Sequence, residues 1–66
     1  MEKELTERQK SVVQMSADGK TAQEIGEKLS ISSRSIEYIL KDASDAVGAV
    51  NKVNLVAICL RKNIIQ

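Results

Sequence analysis

The segment that decides the fold is TAQEIGEKLSISSRSIEYILKDASDAVG, which spans residues 21–48. Thr21 is followed three residues later by Glu24. This spacing is typical of a capping box, in which the two side chains cap each other's backbone N–H groups at the start of a helix. The segment therefore opens with a short predicted helix over residues 22–29. Within it, Gly26 leaves room for another backbone to approach closely.

A tight turn follows the short helix. Serines surround Ile31, and clustered hydroxyl residues favour a turn that ends in a helix cap. We expect Ser32 or Ser33 to cap a longer helix over residues 33–47, which Gly48 ends. Helical spacing turns five apolar side chains inward: Ile36, Ile39, Leu40, Ala43 and Val47. It leaves six side chains pointing outward: Arg34, Glu37, Tyr38, Lys41, Asp42 and Asp45.

Two further helices are predicted on either side of this segment. A second capping-box pattern begins at Thr6 and predicts a helix over residues 7–18, which Gly19 ends. Asn51 is the expected cap of a last helix over residues 52–62. The sequence thus predicts an all-α fold of four helices, formed by a single domain over residues 1–66.

The last predicted helix is apolar on two sides. One stripe comprises Val53, Val56, Ala57 and Leu60, and a second comprises Leu55, Ile58 and Cys59. Because a chain of 66 residues has one core, only one side can face it, and the other is a candidate subunit interface. The predicted interface residues are Val53, Leu55, Val56, Ile58 and Cys59. The alternative is a helix that lies in a groove of its own domain.

Composition excludes several functional classes. The chain has no histidine and only Cys59 as a possible thiol ligand, which argues against a metal site, a cofactor and a catalytic nucleophile with its base. Tyr38 is the single aromatic residue, so an RNA-binding surface built on base stacking is also disfavoured. With no run of 18 apolar residues and no signal-peptide pattern, we expect a non-membrane, cytoplasmic protein.

A short helix, a tight turn and a longer helix with a polar face match the helix-turn-helix motif. In that motif the second helix enters the major groove of DNA. The pattern alone also fits other three-helix domains, whose outward residues are simply solvated. A net charge of +1 is low for a domain that neutralises phosphates.

The order of several short motifs resembles the LuxR/GerE-type DNA-binding domain, from Leu5 to Ile65. The matching stretches are Leu5–Gln9, Ala17–Thr21, Glu24–Leu29, Ile31–Ser32, Ser35–Ile36, Gly48, Ala57 and Leu60–Lys62. The resemblance implies a third helix that recognises DNA and a fourth that forms a homodimer on inverted-repeat sites. The family as a whole implies RNA polymerase as a partner. The C-terminal part is similar to the quorum-sensing branch, which implies an upstream acyl-homoserine-lactone-binding domain outside this chain.

The resemblance also implies site residues. Base contacts are expected from Glu37, Tyr38 and Lys41. Phosphate contacts are expected from Lys20, Thr21, Ser33, Arg34, Ser35 and Lys52. This sequence departs from the family pattern on the third helix, where Glu37 replaces a basic residue and Asp42 and Asp45 add negative charge.

We therefore predict a sequence-specific, DNA-binding transcriptional regulator. The alternative is an interaction module of the same fold that has lost most DNA affinity and that pairs with a related regulator and inhibits it. The acidic third helix and the low net charge motivate this alternative. An enzyme is disfavoured.

Overall fold

The computed structural model describes residues 4–66, which form four helices. The helices are α1 (Glu7–Ala17), α2 (Ala22–Leu29), α3 (Ser33–Val47) and α4 (Lys52–Arg61). The predicted all-α fold is confirmed. α2 and α3 have the predicted bounds, whereas α1 and α4 each end one residue earlier than the sequence predicts.

Both predicted capping boxes are present. The Thr6 hydroxyl accepts a 3.1 Å hydrogen bond from the Gln9 backbone N–H, and the Gln9 side chain accepts one of 2.8 Å from the Thr6 N–H. Thr21 and Glu24 form the same reciprocal pair at 3.1 and 2.9 Å. These bonds satisfy N–H groups that would otherwise have no partner in the first turn of each helix.

The turn between α2 and α3 is built on a close backbone approach. Ser30 adopts the left-handed conformation with φ of 61°, and the Ile31 N–H donates to the Gly26 carbonyl over 2.9 Å. A Cβ atom on Gly26 would lie only 2.5 Å from the Ile31 carbonyl oxygen. Ser32, rather than Ser33, caps α3 and accepts a 3.1 Å hydrogen bond from the Ser35 N–H.

α3 packs against all three other helices, as α1 also does, and it packs most extensively against α2. Its buried side supplies much of a single aliphatic core that also includes Leu5, just before α1. The core residues are Leu5, Val12, Val13, Ile25, Ile36, Leu40, Ala43, Val47, Leu55, Cys59 and Ile65. Ile39, predicted to face inward, is half-buried and packs against this core.

The structure corrects the predicted role of two residues on α4. Leu55 and Cys59 are fully buried in the core of their own domain, so they have no surface to offer a second subunit. Val53 and Leu60, in contrast, are 79% and 46% exposed. The stripe that faces outward is therefore Val53, Val56, Ala57 and Leu60, of which Val56 and Ala57 are half-buried.

The chain end is attached to α1. The Gln14 side-chain amide donates to the Gln66 carbonyl and accepts from the Gln66 N–H, both over 2.8 Å, while Ile65 is buried beside it. This tail holds the end of α4 against the first helix. Within residues 4–66 no single helix is long and apolar enough to cross a bilayer. Only α3 and α4 taken together, with a bend of 56° between them, have the required length and apolarity.

Candidate nucleic-acid interface

The outward side of α3 carries a shallow depression of about 220 Å³. Arg34, Glu37, Tyr38 and Lys41 line it, because residues three and four apart lie on one side of a helix. All four are exposed, and Tyr38 is 60% exposed although it is the only aromatic residue in the chain. The structure thus brings together the predicted base-contacting residues and Arg34, while their contact with DNA stays a prediction.

A second, larger concavity of about 520 Å³ lies beside the first. It is bounded by the start of α2, the outward side of α3 and the start of α4, and it contains Ala22, Glu37, Lys41, Asp45 and Lys52 among its lining residues. Lys52, predicted from the resemblance as a phosphate contact, therefore shares one concave surface with Glu37 and Lys41. Three helices contribute to this surface, although the residues are far apart in the sequence.

The start of α2 places a cation beside a capped helix N-terminus. The Thr21 oxygen accepts a 3.1 Å hydrogen bond from the Glu24 N–H, so this hydroxyl is engaged within the cap. Hydrogen bonds from the Thr21 backbone and hydroxyl lower the pKa of Glu24 below its ordinary value of 4.5, and the charge of Lys20 lowers it further. Lys20 and Thr21 thus stand together at the positive end of a helix dipole.

The start of α3 is a second helix N-terminus with free donors. Ser33 and Arg34 are its first residues and are exposed, and no acidic residue occupies its first turn. Ser35 is less available than predicted, since its hydroxyl lies 3.0 Å from that of Ser32 within the cap. Backbone N–H groups at such a helix start favour anions.

Charge on α3 is mixed. Arg34 and Lys41 are opposed by Glu37, Asp42 and Asp45, and all five are exposed. Glu37 lines both concavities, Asp45 lines only the larger one, and Asp42 lines neither. The carboxylates therefore differ in position, and only Glu37 belongs to the row of predicted base contacts.

The corner between α3 and α4 is fixed by contacts that the sequence did not predict, apart from the expected cap at Asn51. Val50 is 84% exposed, and its backbone N–H donates to the Asn54 side chain over 3.0 Å. The Asn54 N–H in turn donates to the Asn51 side chain over 2.8 Å, so these bonds fix the corner that carries Lys52. The available signal was the spacing of three between Asn51 and Asn54. It resembles the spacing of a capping box, but the Asn54 side chain accepts from Val50, the residue before the cap, and not from Asn51.

The remaining groups to consider are the Cys59 thiol and any cluster of metal-ligating side chains. Cys59 is a free, buried thiol, and burial raises its pKa. Residues 4–66 contain no group of three or more histidine, cysteine, aspartate or glutamate side chains placed to hold a metal ion. The exposed polar side of α3 and the two helix starts beside it are the surface with the most recognition chemistry.

A short α2, a tight turn and an α3 with an exposed polar side define a helix-turn-helix DNA-binding domain. The chain belongs to the luxR family of bacterial regulatory proteins, which it matches over residues 3–59. It is a DNA-binding domain of a transcriptional regulator and not an enzyme.

One relative is the transcriptional activator protein BjaR1 of Bradyrhizobium diazoefficiens. It is 43% identical over 62 residues, which are 94% of this chain and 26% of that protein. The chain thus spans about a quarter of the length of this relative. No solved structure matches the chain.

Proposed function

We propose that this chain binds an inverted-repeat DNA site as a homodimer, with α3 in the major groove of each half-site. The observation that carries the proposal is the division of α3 into two sides. Ile36 and Ala43 are fully buried in the core, while Arg34, Tyr38 and Lys41 are exposed together around one depression. A helix held by its apolar side in this way presents its polar side as a rigid unit.

Phosphate contacts on either side of the groove would come from the two helix starts and from α4. At α2, Lys20 would supply a charge and the exposed Thr21 a contact beside it. At α3, the exposed residues Ser33 and Arg34 would supply further contacts at the helix start. Lys52 supplies a cation at the far edge of the larger concavity. Such contacts fix the orientation of a protein on the duplex.

The proposed dimer interface is the outward stripe of α4. Val53 and Leu60 lie seven residues apart, about 10 Å along the helix, and Val56 and Ala57 lie between them. α4 contains no acidic residue, and its cations lie at its ends. Two copies of such a stripe can meet across a two-fold axis, since each presents the same apolar surface.

We extend the proposal to the partners that the resemblance implies. RNA polymerase would be the partner through which a bound dimer alters transcription. An upstream acyl-homoserine-lactone-binding domain would be the sensor in a longer protein that contains this domain. The similarity to a transcriptional activator supports this extension. These partners are cytoplasmic in bacteria, and we propose that this protein is cytoplasmic as well.

Salt dependence of DNA binding tests the proposal. If two to four phosphates are neutralised, log Kd should vary with log salt with a slope of roughly 2 to 4 per protomer. The variant Lys52→Gln should bind all duplexes more weakly and lower this slope by about 1. Lys10→Gln is the matched control, because Lys10 lies on α1 and pairs with Glu7 at 3.6 Å. Absence of salt-sensitive binding to a pool of inverted repeats at low ionic strength would contradict the proposal.

One observation favours a second function. The three exposed carboxylates of α3 outnumber its two cations, which weakens attraction to phosphate. An interaction module would keep α4 pairing and lose DNA affinity, so it would form heterodimers with a related regulator and inhibit it. Co-purification with such a regulator should then be lost in Val53→Glu and kept in Ser11→Glu, an equal charge change on an exposed position of α1.

A further inference from the structure

We propose that Glu37 is a specificity-determining residue that selects cytosine in the major groove. The inference rests on the proposed function, because it requires α3 to lie in that groove. It assigns a favourable role to a carboxylate that would otherwise only repel the DNA backbone.

The position of Glu37 places it among the cations of α3 and α4. It is the acidic residue that lines both concavities, so it lies at the centre of the exposed side of α3. Arg34 and Lys41 share the smaller concavity with it, and Lys52 shares the larger one. Glu37 thus lies between Arg34 and Lys52, which are proposed to hold phosphates, and beside Lys41, which is proposed to contact bases.

The Glu37 carboxylate is available to a ligand. Glu37 is exposed, and within residues 4–66 its side chain has no ion pair and no hydrogen bond. Lys41, four residues on, would be the ordinary helical partner of Glu37, yet the two form no ion pair. Glu37 therefore does not stabilise α3 through a paired charge, and both of its oxygens are free to accept from a ligand.

The four base edges differ in the donors and acceptors that they offer to a carboxylate. An ionised carboxylate only accepts hydrogen bonds. In the major groove cytosine presents its N4 amino group as a donor, whereas guanine presents two acceptors and thymine presents O4 and a methyl group. Adenine presents a donor beside the N7 acceptor, which would repel the second oxygen. Cytosine is consequently the base that a carboxylate accommodates best.

The experiment begins with selection of binding sites from random duplex DNA by the unaltered chain. Its affinity is then measured for four duplexes that differ only in the base pair at the selected cytosine. Glu37→Gln is the test variant, since glutamine has the same shape but both donates and accepts, as adenine requires. Asp42→Asn is the matched control, because it removes the same charge from an exposed residue that lines neither concavity.

We expect the unaltered chain to select cytosine at one position of each half-site. Glu37→Gln should reduce the preference for cytosine over adenine there by at least about fivefold, the lower end of what one base contact contributes. Asp42→Asn should tighten binding to all duplexes and leave the preference unchanged. Unaltered melting temperatures would show that both variants fold.

Two results would overturn the inference, and they differ in meaning. If both variants tighten binding equally and the base preferences stay the same, Glu37 acts only as a charge and the proposed function survives. If the unaltered chain selects no sequence from the pool, the proposed function fails together with this inference.

Discussion

At the scale of single residues, Gly26 shows how one missing side chain permits the helix-turn-helix geometry. A methyl group at this position would lie 2.5 Å from the Ile31 carbonyl oxygen, which belongs to the backbone of the turn and has little freedom to move. Alanine favours a helix over glycine by about 1 kcal/mol. Overpacking against a fixed neighbour costs about 1–3 kcal/mol and usually more than offsets this gain.

We therefore expect Gly26→Ala to lower the melting temperature by roughly 5–10 °C, because about 1 kcal/mol corresponds to 4–8 °C in a domain of this size. Thermal denaturation followed by circular dichroism measures the change. Gln23→Ala is the matched control, since Gln23 is exposed on the same helix and should lose no stability. A Gly26→Ala protein as stable as the unaltered chain would contradict the proposed backbone constraint.

The capping box of α2 is a second feature of single residues, and it predicts that the stability of the folded state depends on pH. Hydrogen bonds from Thr21 lower the pKa of Glu24 from 4.5, so the charged carboxylate stabilises the folded state. This contribution is present above about pH 5, where Glu24 is ionised even in the unfolded chain, and is lost as the pH falls through the lowered folded pKa. Glu24→Gln keeps the acceptor oxygen for the Thr21 N–H but cannot ionise.

The difference in melting temperature between the unaltered chain and Glu24→Gln should consequently shrink as the pH falls from 6 to 2. Melting curves at intervals across this range are the measurement. The comparison isolates one group, since every other carboxylate titrates in both proteins. A difference that stays constant with pH would mean that ionised Glu24 does not stabilise the cap.

At the scale of elements, α4 has one side that packs in the core and one side that faces outward. Leu55 is fully buried, whereas Val53, two residues earlier, is 79% exposed. Leu55→Ala should cost about 2–5 kcal/mol of folding free energy, as other buried leucines do. Val53→Ala should change folding free energy by less than about 0.5 kcal/mol in dilute protein, as exposed substitutions do. Urea denaturation of the two variants measures both values, and equal losses would contradict this division of α4.

The helices themselves could be predicted from the sequence because their signals are local. Thr6 and Thr21 carry capping boxes, and Gly19 and Gly48 take the positive φ angles of 95° and 74° that end α1 and α3. A left-handed Ser30 was not predicted, because serine has no strong preference for that conformation.

Features that depend on tertiary packing could not be predicted in this way. The sequence shows two apolar stripes on α4 but not which one faces α1 and α3, and this led to the wrong placement of Leu55 and Cys59 at an interface. The bonds between Gln14 and Gln66 join residues 52 positions apart, and no spacing rule reports such a contact. The outward row of α3 was predictable, since only helical spacing is needed for it.

At the scale of the whole molecule, charge and size both favour assembly. The chain has a net charge of +1, and α3 carries more carboxylates than cations. One protomer therefore has limited attraction for phosphates, and two linked protomers would double the number of contacts. A domain of 66 residues also buries a small core and has marginal stability alone. Covering the Val53 and Leu60 stripe would raise both DNA affinity and stability.

Coupling between dimerisation and stability leads to a prediction for the whole molecule. A partner that binds only the folded state raises the melting temperature by mass action. For a homodimer of this size the melting temperature should rise by about 3–5 °C for each tenfold increase in protein concentration. Calorimetry over a hundredfold range measures this slope, and sedimentation measures the mass in parallel.

Val53→Glu should abolish the concentration dependence, because it places a charge on the outward stripe without touching the core. The altered protein should remain folded, since Val53 is 79% exposed, and it should sediment as a monomer. Ser11→Glu, which adds the same charge on α1, should keep the slope of the unaltered chain. If the unaltered chain melts at one temperature across the whole range and sediments as a monomer, the isolated domain does not pair through α4. Dimerisation on DNA would then have to depend on contacts that α4 does not make.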